Sequence, residues 1–325
     1  MRVGVIGVGS MGKNHVRVYS EIAELVGVTD VMQDSSRSVA DKFGVRSYET
    51  PQDLLKDVDA VSICTPTSEH LKVARLAIEQ GVHLLVEKPF TGTSGNAAEL
   101  VELADKANVT LASGFIERCN PIVGNLRNLA AGKRFGDVIS IASRRVSSFP
   151  ARIRDVGVIM DLGIHDVDVL RNVKGSEVRS VYALGGSYNT DKCEDFANLL
   201  LEFEDGGLGF IEVNWLTPMK VRRISLTCSE AFVQADYIDQ SMEISSSSIK
   251  DLDPNNLFNL PLELDVHRIA VKKEEPLKVE LENFLKAASA GKEASISGRD
   301  AVSNLKVCEA ALRSLKSKGK EKVEV

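Results

Sequence analysis

Short apolar runs in the first third of the chain alternate with stretches whose apolar residues recur at helical spacing. The apolar runs lie at 2–7, 25–31, 60–64, 83–86 and 110–115. The helical patterns lie between them, at 11–24, 35–43, 68–80 and 94–107. Apolar runs separated by helices of about 10–15 residues are typical of βαβ units, whose buried parallel strands form one sheet. The first third is therefore predicted to be a doubly wound α/β domain of the Rossmann type.

The pattern changes after residue 120. Helices are predicted at 121–131, 157–172, 276–290 and 299–316, with a strand at 137–147. Further strands are predicted at 178–189, 196–205, 207–216, 220–228 and 230–237, and short polar or glycine turns separate them. Such turns indicate an antiparallel meander, and alternation at 198–203 indicates one covered face. We expect residues 1–118 to form the first domain, and 119–325 to form an α+β domain with a largely antiparallel open sheet.

The composition is that of an ordinary globular protein, and it excludes several classes of function. Hydrophobic residues make up 43% of the 325 residues, which is enough for two cores. The net charge of −6 disfavours binding to a nucleic acid backbone. The five cysteines form no CxxC pair, which favours a reducing compartment over disulfides or zinc. Because we find neither a signal peptide nor an apolar run of about 18 residues, we expect a cytoplasmic protein without a membrane span.

A glycine-rich turn follows the first predicted strand and opens the first predicted helix. Its sequence, GVGSMG, has the GxGxxG spacing that brings a pyrophosphate close to the backbone and onto a helix N-terminus. Asp30 ends the second predicted strand, where an acid accepts both ribose hydroxyls and repels a 2′-phosphate. We therefore predict NAD as the cofactor. Its predicted contacts in this region are Gly7, Gly9, Ser10, Met11, Gly12 and Asp30.

Two further turns end neighbouring predicted strands of the first domain. Thr65 and Pro66 follow the strand at 60–64, and the sequence EKP, from Glu87 to Pro89, follows the strand at 83–86. Carboxyl ends of parallel strands line the ligand crevice, so these turns are expected to contact the cofactor. A lysine at position 88 is suited to donate to a substrate hydroxyl and to stabilise negative charge on its oxygen. His70 either lies near the nicotinamide or caps the following helix.

Two residues of the second domain have the spacing of a proton-transfer pair. Asp161 and His165 are four positions apart in a helical pattern, so the carboxylate can orient the imidazole. An imidazole titrates near neutrality, which suits general acid–base catalysis. A metal site formed with Asp168 is disfavoured, because no further histidine or cysteine lies nearby. The alternative is a capped helix with solvated carboxylates.

Taken in order, the sequences GVGSMG, CTPT, VEKP and DLGIHDVD resemble the motifs of the Gfo/Idh/MocA oxidoreductases, and the resemblance covers essentially the whole chain. It implies an NAD(P)-dependent dehydrogenase that acts on CH–OH groups. Glu87 would contact the nicotinamide ribose, and Lys88 would hydrogen-bond the reacting hydroxyl beside a cis Pro89. Asp161 would position the substrate, and His165 would be the general acid and base.

Three further stretches resemble the members of this family that oxidise UDP-N-acetylglucosamine at C3. They are 114–121, 149–157 and 214–220, with departures at Cys119 and at 147–148. The predicted substrate-binding residues are Arg118, Asn120, Arg145, Arg152, Trp215, Lys220 and Arg222. Four basic residues at positions 145, 152, 220 and 222 would suit a diphosphate, and the tryptophan would stack on a sugar or base. Alternatively, the basic residues are a solvated sheet face, and the tryptophan lies in the core or in a subunit interface.

The resemblance implies NAD-dependent oxidation of UDP-N-acetylglucosamine to its 3-keto sugar. An inositol or free-sugar dehydrogenase and a non-catalytic NAD-binding sensor are the alternatives. The basic residues favour the nucleotide sugar, whereas Lys88, Asp161 and His165 disfavour a sensor. The expected partners are a small-molecule substrate and further copies of the chain, which would form a homodimer or homotetramer through the sheet of the second domain.

Overall fold

The computed structural model describes residues 1–150, 156–190, 193–249 and 262–324. Its contacts divide the chain into two compact units. The first comprises Met1–Cys119 and Glu275–Lys306, and the second comprises Asn120–Glu274 and Val307–Val325. Among the described helices, none combines the length and the apolar character that spanning a bilayer requires.

The first unit contains a six-stranded sheet in which every pair of neighbouring strands is parallel. The strands are β1 (Arg2–Ile6), β2 (Glu24–Thr29), β3 (Arg46–Tyr48), β4 (Ala60–Ile63), β5 (His83–Glu87) and β6 (Leu111–Gly114). The helices that follow them are α1 (Ser10–Ile22), α2 (Gln33–Phe43), α3 (Pro51–Leu55), α4 (Thr67–Glu79) and α5 (Ser94–Ala107). The spatial order β3-β2-β1-β4-β5-β6 confirms the predicted Rossmann architecture, with the strand order reversing between β1 and β4.

Helix α8 (Pro276–Ser289) belongs to the core of the first unit. Leu277, Leu281 and Phe284 form one apolar stripe, because their spacing follows the helical repeat. They are buried in one cluster with residues of α1 and β1. Residues 275–306 were predicted to belong to the second domain. The structure differs in this respect, because the apolar stripe of α8 completes the first core.

The second unit contains a nine-stranded sheet of order β14-β13-β12-β11-β7-β10-β9-β8-β15. Among the described strands of this second sheet, only β7 and β10 pair in parallel. The predicted largely antiparallel sheet is therefore confirmed. The strands are β7 (Val138–Ser148), β8 (Val178–Gly186), β9 (Phe196–Phe203), β10 (Leu208–Asn214), β11 (Leu216–Cys228), β12 (Phe232–Asp236), β13 (Ser241–Ile249), β14 (Leu262–Ile269) and β15 (Glu321–Lys322). The remaining helices are α6 (Pro121–Ala131), α7 (Ile164–Lys174) and α9 (Gly298–Ser317).

One face of this sheet is covered, as the alternation predicts. In β9, Leu199 and Leu201 are buried, whereas Leu200 between them is exposed. The serine run at 245–248 lies in β13. Its backbone pairs with β14, and polar side chains do not prevent a backbone from joining a sheet.

We expect Leu281→Ala to destabilise the first unit. The side chain is fully buried, so its loss leaves a cavity that should cost about 2–5 kcal/mol of unfolding free energy. Glu282→Ala, on the exposed side of the same helix, is the matched control and should change stability little. Urea denaturation measures both. Wild-type stability in Leu281→Ala would mean that α8 is not part of this core.

Candidate active site

The turn between β1 and α1 requires glycine at two positions. Gly7 has a φ of +87°, and a Cβ on it would lie 2.8 Å from the backbone carbonyl of Cys64. A Cβ on Gly12 would lie 1.9 Å from the carbonyl oxygen of Gly7. Both obstacles are backbone atoms, which cannot rotate out of the way. These glycines therefore let α1 begin directly behind the strand.

Gly9 fits the predicted pyrophosphate for a different reason. Apart from Gly9 and its two chain neighbours, no atom of the described part of the chain lies within 4 Å of the position that its Cβ would take. This open space adjoins the first turn of α1, formed by Ser10 and Met11, and the N-cap of that helix has no side chain. Backbone N–H groups at a helix N-terminus stabilise phosphate charge. The turn thus offers both room and donors for a dinucleotide.

Asp30 directly follows β2 and is fixed beside the glycine turn. Its Oδ2 accepts a hydrogen bond from the N–H of Val8 at 2.7 Å, and its Oδ1 accepts one from the N–H of Met32 at 2.9 Å. An ionised carboxylate has about four acceptor sites, so sites remain for ribose hydroxyls. Arg37 on α2 is exposed and lies 3.9 Å from Asp34.

His70 joins two loops at the carboxyl edge of the sheet. Its Nδ1 lies 2.9 Å from the carbonyl oxygen of Pro89, and its Nε2 lies 2.8 Å from that of Thr65. Burial lowers the pKa of this imidazole. Because backbone carbonyls occupy both ring nitrogens, the structure favours a structural role over the predicted nicotinamide contact. Pro66, which caps α4, lies in one of these loops.

Glu87 ends β5 with its side chain buried. Its Oε1 lies 2.9 Å from Nε2 of His15, and its Oε2 accepts a hydrogen bond from the backbone N–H of Lys88 at 3.1 Å. The peptide bond between Lys88 and Pro89 is cis, as the resemblance implies. On the neighbouring strand, a Cβ on Gly114 would lie 3.0 Å from the carboxyl carbon of Glu87, so glycine makes room for this side chain.

In the second unit, Asp161 and His165 lie on consecutive helical segments. Asp161 is in a π-helical turn, Ile159–Gly163, and His165 is near the start of α7. Both side chains are buried, as is Asp168, which contradicts the alternative of solvated carboxylates. The sequence predicted a single helix here, and its periodicity contains no signal for the π turn. Such turns occur frequently at functional sites.

Glu194, which was not among the predicted site residues, holds the start of this segment. Its Oε1 accepts a hydrogen bond from the N–H of Ile159 at 3.0 Å, and its carbonyl oxygen accepts one from Val158 at 2.9 Å. A Cβ on Gly157 would lie 2.2 Å from the same carboxyl group, so glycine permits the contact. Burial raises the pKa of Glu194. The glutamate is far from Ile159 in sequence, and no local pattern connects them.

Arg145 does not have the exposure expected of a phosphate ligand. Its side chain is 2% exposed, and its guanidinium pairs with Asp166 through Nε–Oδ2 and Nη2–Oδ1 distances of 2.8 and 3.2 Å. The ring of Tyr237 lies 5.3 Å from the guanidinium carbon. A buried carboxylate in bidentate contact compensates this charge. The pairing therefore argues against the predicted diphosphate role.

Three more predicted substrate residues contribute to the packing of their own unit. In the second unit, the side chain of Asn120 accepts a hydrogen bond from the N–H of Ile122 and donates one to the carbonyl of Tyr237. The side chain of Trp215 is buried, and its ring lies edge-on to that of Phe149 with 5.6 Å between the ring centroids. In the first unit, Arg118 lies 2.8 Å from Asp300. The contacts of Asn120 favour a packing role over the predicted substrate contact. The burial of Trp215 supports the alternative that this tryptophan lies in the core.

The remaining basic residues of the predicted set lie on β11 or outside the described residues. Lys220 is exposed and Arg222 is half-buried. Arg222 lies opposite Arg145 in the register of β7 and β11, and its neighbour Arg223 pairs with Asp236. Arg152 lies outside the described residues. Lys220 and Arg222 are therefore the described candidates for binding an anionic substrate.

Comparisons with known proteins agree with this arrangement. The model of an oxidoreductase family with an NAD-binding Rossmann fold, GFO/IDH/MocA, matches residues 1–115, and the GFO/IDH/MocA C-terminal domain matches 123–234. The UDP-N-acetylglucosamine 3-dehydrogenase of Acidithiobacillus ferrooxidans is 33% identical over 89% of each chain. Its solved structure has a TM-score of 0.88, with 31% identity over 98% of each chain.

Two further relatives differ from this enzyme in the substrate or pathway for which they are named. The myo-inositol 2-dehydrogenase of Thermotoga maritima is 28% identical and covers 100% of this chain and 99% of its own. A protein of gentamicin A biosynthesis, solved in complex with NAD, has a TM-score of 0.84 and 25% identity over 100% of this chain and 97% of its own. The predicted NAD cofactor is thus confirmed, whereas the substrate differs among relatives.

The position of Asp30 predicts a preference for NAD over NADP. Asp30→Ser removes the charge that repels a 2′-phosphate, and we expect it to lower the ratio of NAD to NADP affinity by about tenfold. Asp34→Ser, an exposed aspartate on α2, is the matched control and should leave the ratio unchanged. Calorimetric titration with each cofactor measures the ratio. Equal or tighter binding of NADP to the wild type would contradict the assignment.

Proposed function

The chain belongs to the GFO/IDH/MocA family of NAD-binding oxidoreductases, and on that premise we propose that it oxidises UDP-N-acetylglucosamine at C3. The coarser function, NAD(P)-dependent dehydrogenation of a CH–OH group, agrees with the named sugar and inositol dehydrogenases among its relatives. The observation that carries the finer proposal is the likeness to the Acidithiobacillus ferrooxidans enzyme over nearly all of both chains. The product would be the 3-keto nucleotide sugar.

Different residues of the first unit would bind different parts of the cofactor. The glycine turn and the N-terminus of α1 would hold the pyrophosphate, and Asp30 would accept from the ribose hydroxyls of the adenosine half. Glu87 would accept from the ribose of the nicotinamide half. When bound, NAD supplies the acceptor for the hydride that leaves the sugar carbon.

Protein side chains would remove the hydroxyl proton in the same reaction. His165 would take the proton of the C3 hydroxyl, while Lys88 would donate a hydrogen bond to the oxygen and stabilise its developing negative charge. The carbon loses a hydride and the oxygen loses a proton, so a ketone forms. Asp161 would position the sugar. The π turn that contains Asp161 is held by Glu194, which supports a defined orientation for this carboxylate.

We expect His165→Ala to lower kcat by about 10²–10⁴-fold, the usual range for loss of general acid–base catalysis. Its NAD affinity should stay near wild type, because the cofactor contacts are assigned to other residues. His267→Ala, an exposed histidine of β14, is the matched control. Steady-state kinetics and NAD titration give the two readouts, and near-wild-type turnover in His165→Ala would exclude the role.

Binding of the diphosphate is assigned to the basic residues of β11. Lys220 is exposed and Arg222 is half-buried, and both positions lie in the second unit. Arg222 faces the same side of the sheet as Arg145, whereas Arg223 faces the opposite side. A neutral polyol has no anion for such residues, so their charge favours a nucleotide sugar over inositol.

The experiment that tests the proposal is NAD reduction with a panel of nucleotide sugars, free sugars and inositols. UDP-N-acetylglucosamine should give the highest kcat/KM, with a 3-keto product identified by NMR. A preference for myo-inositol, the substrate named for the Thermotoga maritima relative, would support the alternative instead. No turnover with any member of the panel, in a protein that binds NAD, would favour the non-catalytic sensor.

Arg222→Ala should raise KM for UDP-N-acetylglucosamine by about tenfold or more, since a charge-assisted phosphate contact is worth about 1.5–3 kcal/mol. Arg223→Ala, the adjacent arginine on the opposite face, is the matched control and should leave KM unchanged. Any slow activity on free N-acetylglucosamine should survive both changes. Equal effects of the two variants on KM would remove the support for a diphosphate site here.

Assembly and location remain predictions. Leu200 and Phe210 lie opposite each other on the exposed sheet face of the second unit, which supports a homodimer or homotetramer formed through this sheet. The cytoplasmic location rests on the sequence alone.

A further inference from the structure

A chain of polar side chains is buried beneath the glycine turn in the first unit. The phenol of Tyr19 lies 2.8 Å from Oγ of Ser62, and the same Oγ lies 3.0 Å from Nδ1 of His15. Nε2 of His15 lies 2.9 Å from Oε1 of Glu87. Tyr19, Ser62 and His15 are fully buried. Water therefore cannot replace any of these partners without a structural change.

The direction of each hydrogen bond among these four side chains follows from what each group can donate. The Tyr19 hydroxyl has Ser62 as its one described partner, so it donates there, since otherwise a buried O–H would be unsatisfied. Ser62 then uses its own proton toward Nδ1 of His15, which must accept. His15 is thus neutral, with its proton on Nε2, and donates to Glu87. Burial raises the pKa of Tyr19, which keeps the first donor protonated.

Both oxygens of Glu87 are oriented as a result. Oε1 accepts from His15, and Oε2 accepts from the N–H of Lys88. An acceptor of two N–H donors is favoured as the ionised carboxylate. Glu280 of α8 brings a second buried carboxylate, with the ligand atoms of His15, Glu87 and Glu280 all within 4.8 Å of one another. Donors from α1 and from the backbone beyond β5 thus fix the carboxylate of Glu87.

This carboxylate lies on the nicotinamide side of the cofactor site. A dinucleotide binds where the strand order reverses, between β1 and β4. Asp30, at the end of β2, marks the adenosine side of that reversal. Glu87 ends β5, two strands beyond β1 on the other side. The nicotinamide half extends in that direction.

We propose that His15 is a positioning residue that holds Glu87 ionised and aimed at the nicotinamide half, so that the site binds oxidised NAD more tightly than NADH. The oxidised ring carries a positive charge that the reduced ring lacks, and a fixed carboxylate in a buried setting distinguishes the two. The proposal rests on the NAD site and is independent of which sugar the protein oxidises.

The test compares the affinities of one protein for the two forms of the cofactor. His15→Asn keeps an amide near Ser62 but removes the donor to Glu87, and the ratio of NAD⁺ to NADH affinity should fall by about tenfold. His15→Gln places its amide N–H near the position of Nε2 and should restore most of the ratio. Glu87→Gln removes the charge itself and should lower the ratio at least as much. Calorimetry measures the affinity for NAD⁺, and NADH fluorescence measures the affinity for NADH.

His83→Asn is the matched control, because His83 begins the strand that Glu87 ends and accepts from the N–H of Thr110. The ratio of NAD⁺ to NADH affinity in this variant should equal that of the wild type. If His15→Asn weakens both cofactor forms equally, or lowers only the melting temperature, His15 is merely structural and the proposal is overturned. An unchanged ratio in Glu87→Gln overturns it even if His15→Asn does not fold. Lack of sugar oxidation would count against the proposed substrate and leave this comparison intact.

Discussion

The cofactor-binding unit depends on one buried hydrogen bond, between the imidazole of His15 and the carboxylate of Glu87. A carboxylate loses its hydration when it is buried at the end of a parallel strand, so protein donors must replace water. The donors here come from α1 and from the backbone beyond β5, two elements that also border the ligand crevice. The same bond therefore contributes to the packing of helix on sheet and to the charge presented to the nicotinamide.

Each unit uses glycine to let a carboxyl group approach the backbone that it organises. In the first unit, Gly114 leaves space beside Glu87, and in the second, Gly157 leaves space beside Glu194. One carboxyl group belongs to the proposed cofactor site, and the other holds the π turn that contains Asp161. The two units are unrelated in topology, yet in both an acid at the edge of a regular element positions a residue of the proposed chemistry.

The sequence predicted those features that depend on local patterns. The βαβ alternation, the glycine turn and Asp30 were readable because each has a fixed spacing to a strand or helix. The packing roles of Arg145, Asn120 and Trp215 could not be predicted, because their side-chain partners Asp166, Tyr237 and Phe149 come from elements distant in sequence. Helix α8 was placed in the wrong core for the same reason, since an apolar stripe reveals a buried face but not its partner.

The tautomer of His15 tests the central claim most directly. Imidazole ¹⁵N chemical shifts of selectively labelled histidine distinguish a protonated from an unprotonated ring nitrogen, and His15→Asn identifies the signal. The account predicts a neutral ring at neutral pH, protonated on Nε2 and unprotonated on Nδ1. An imidazolium, or a neutral ring with its proton on Nδ1, would contradict the donor chain from Tyr19 to Glu87.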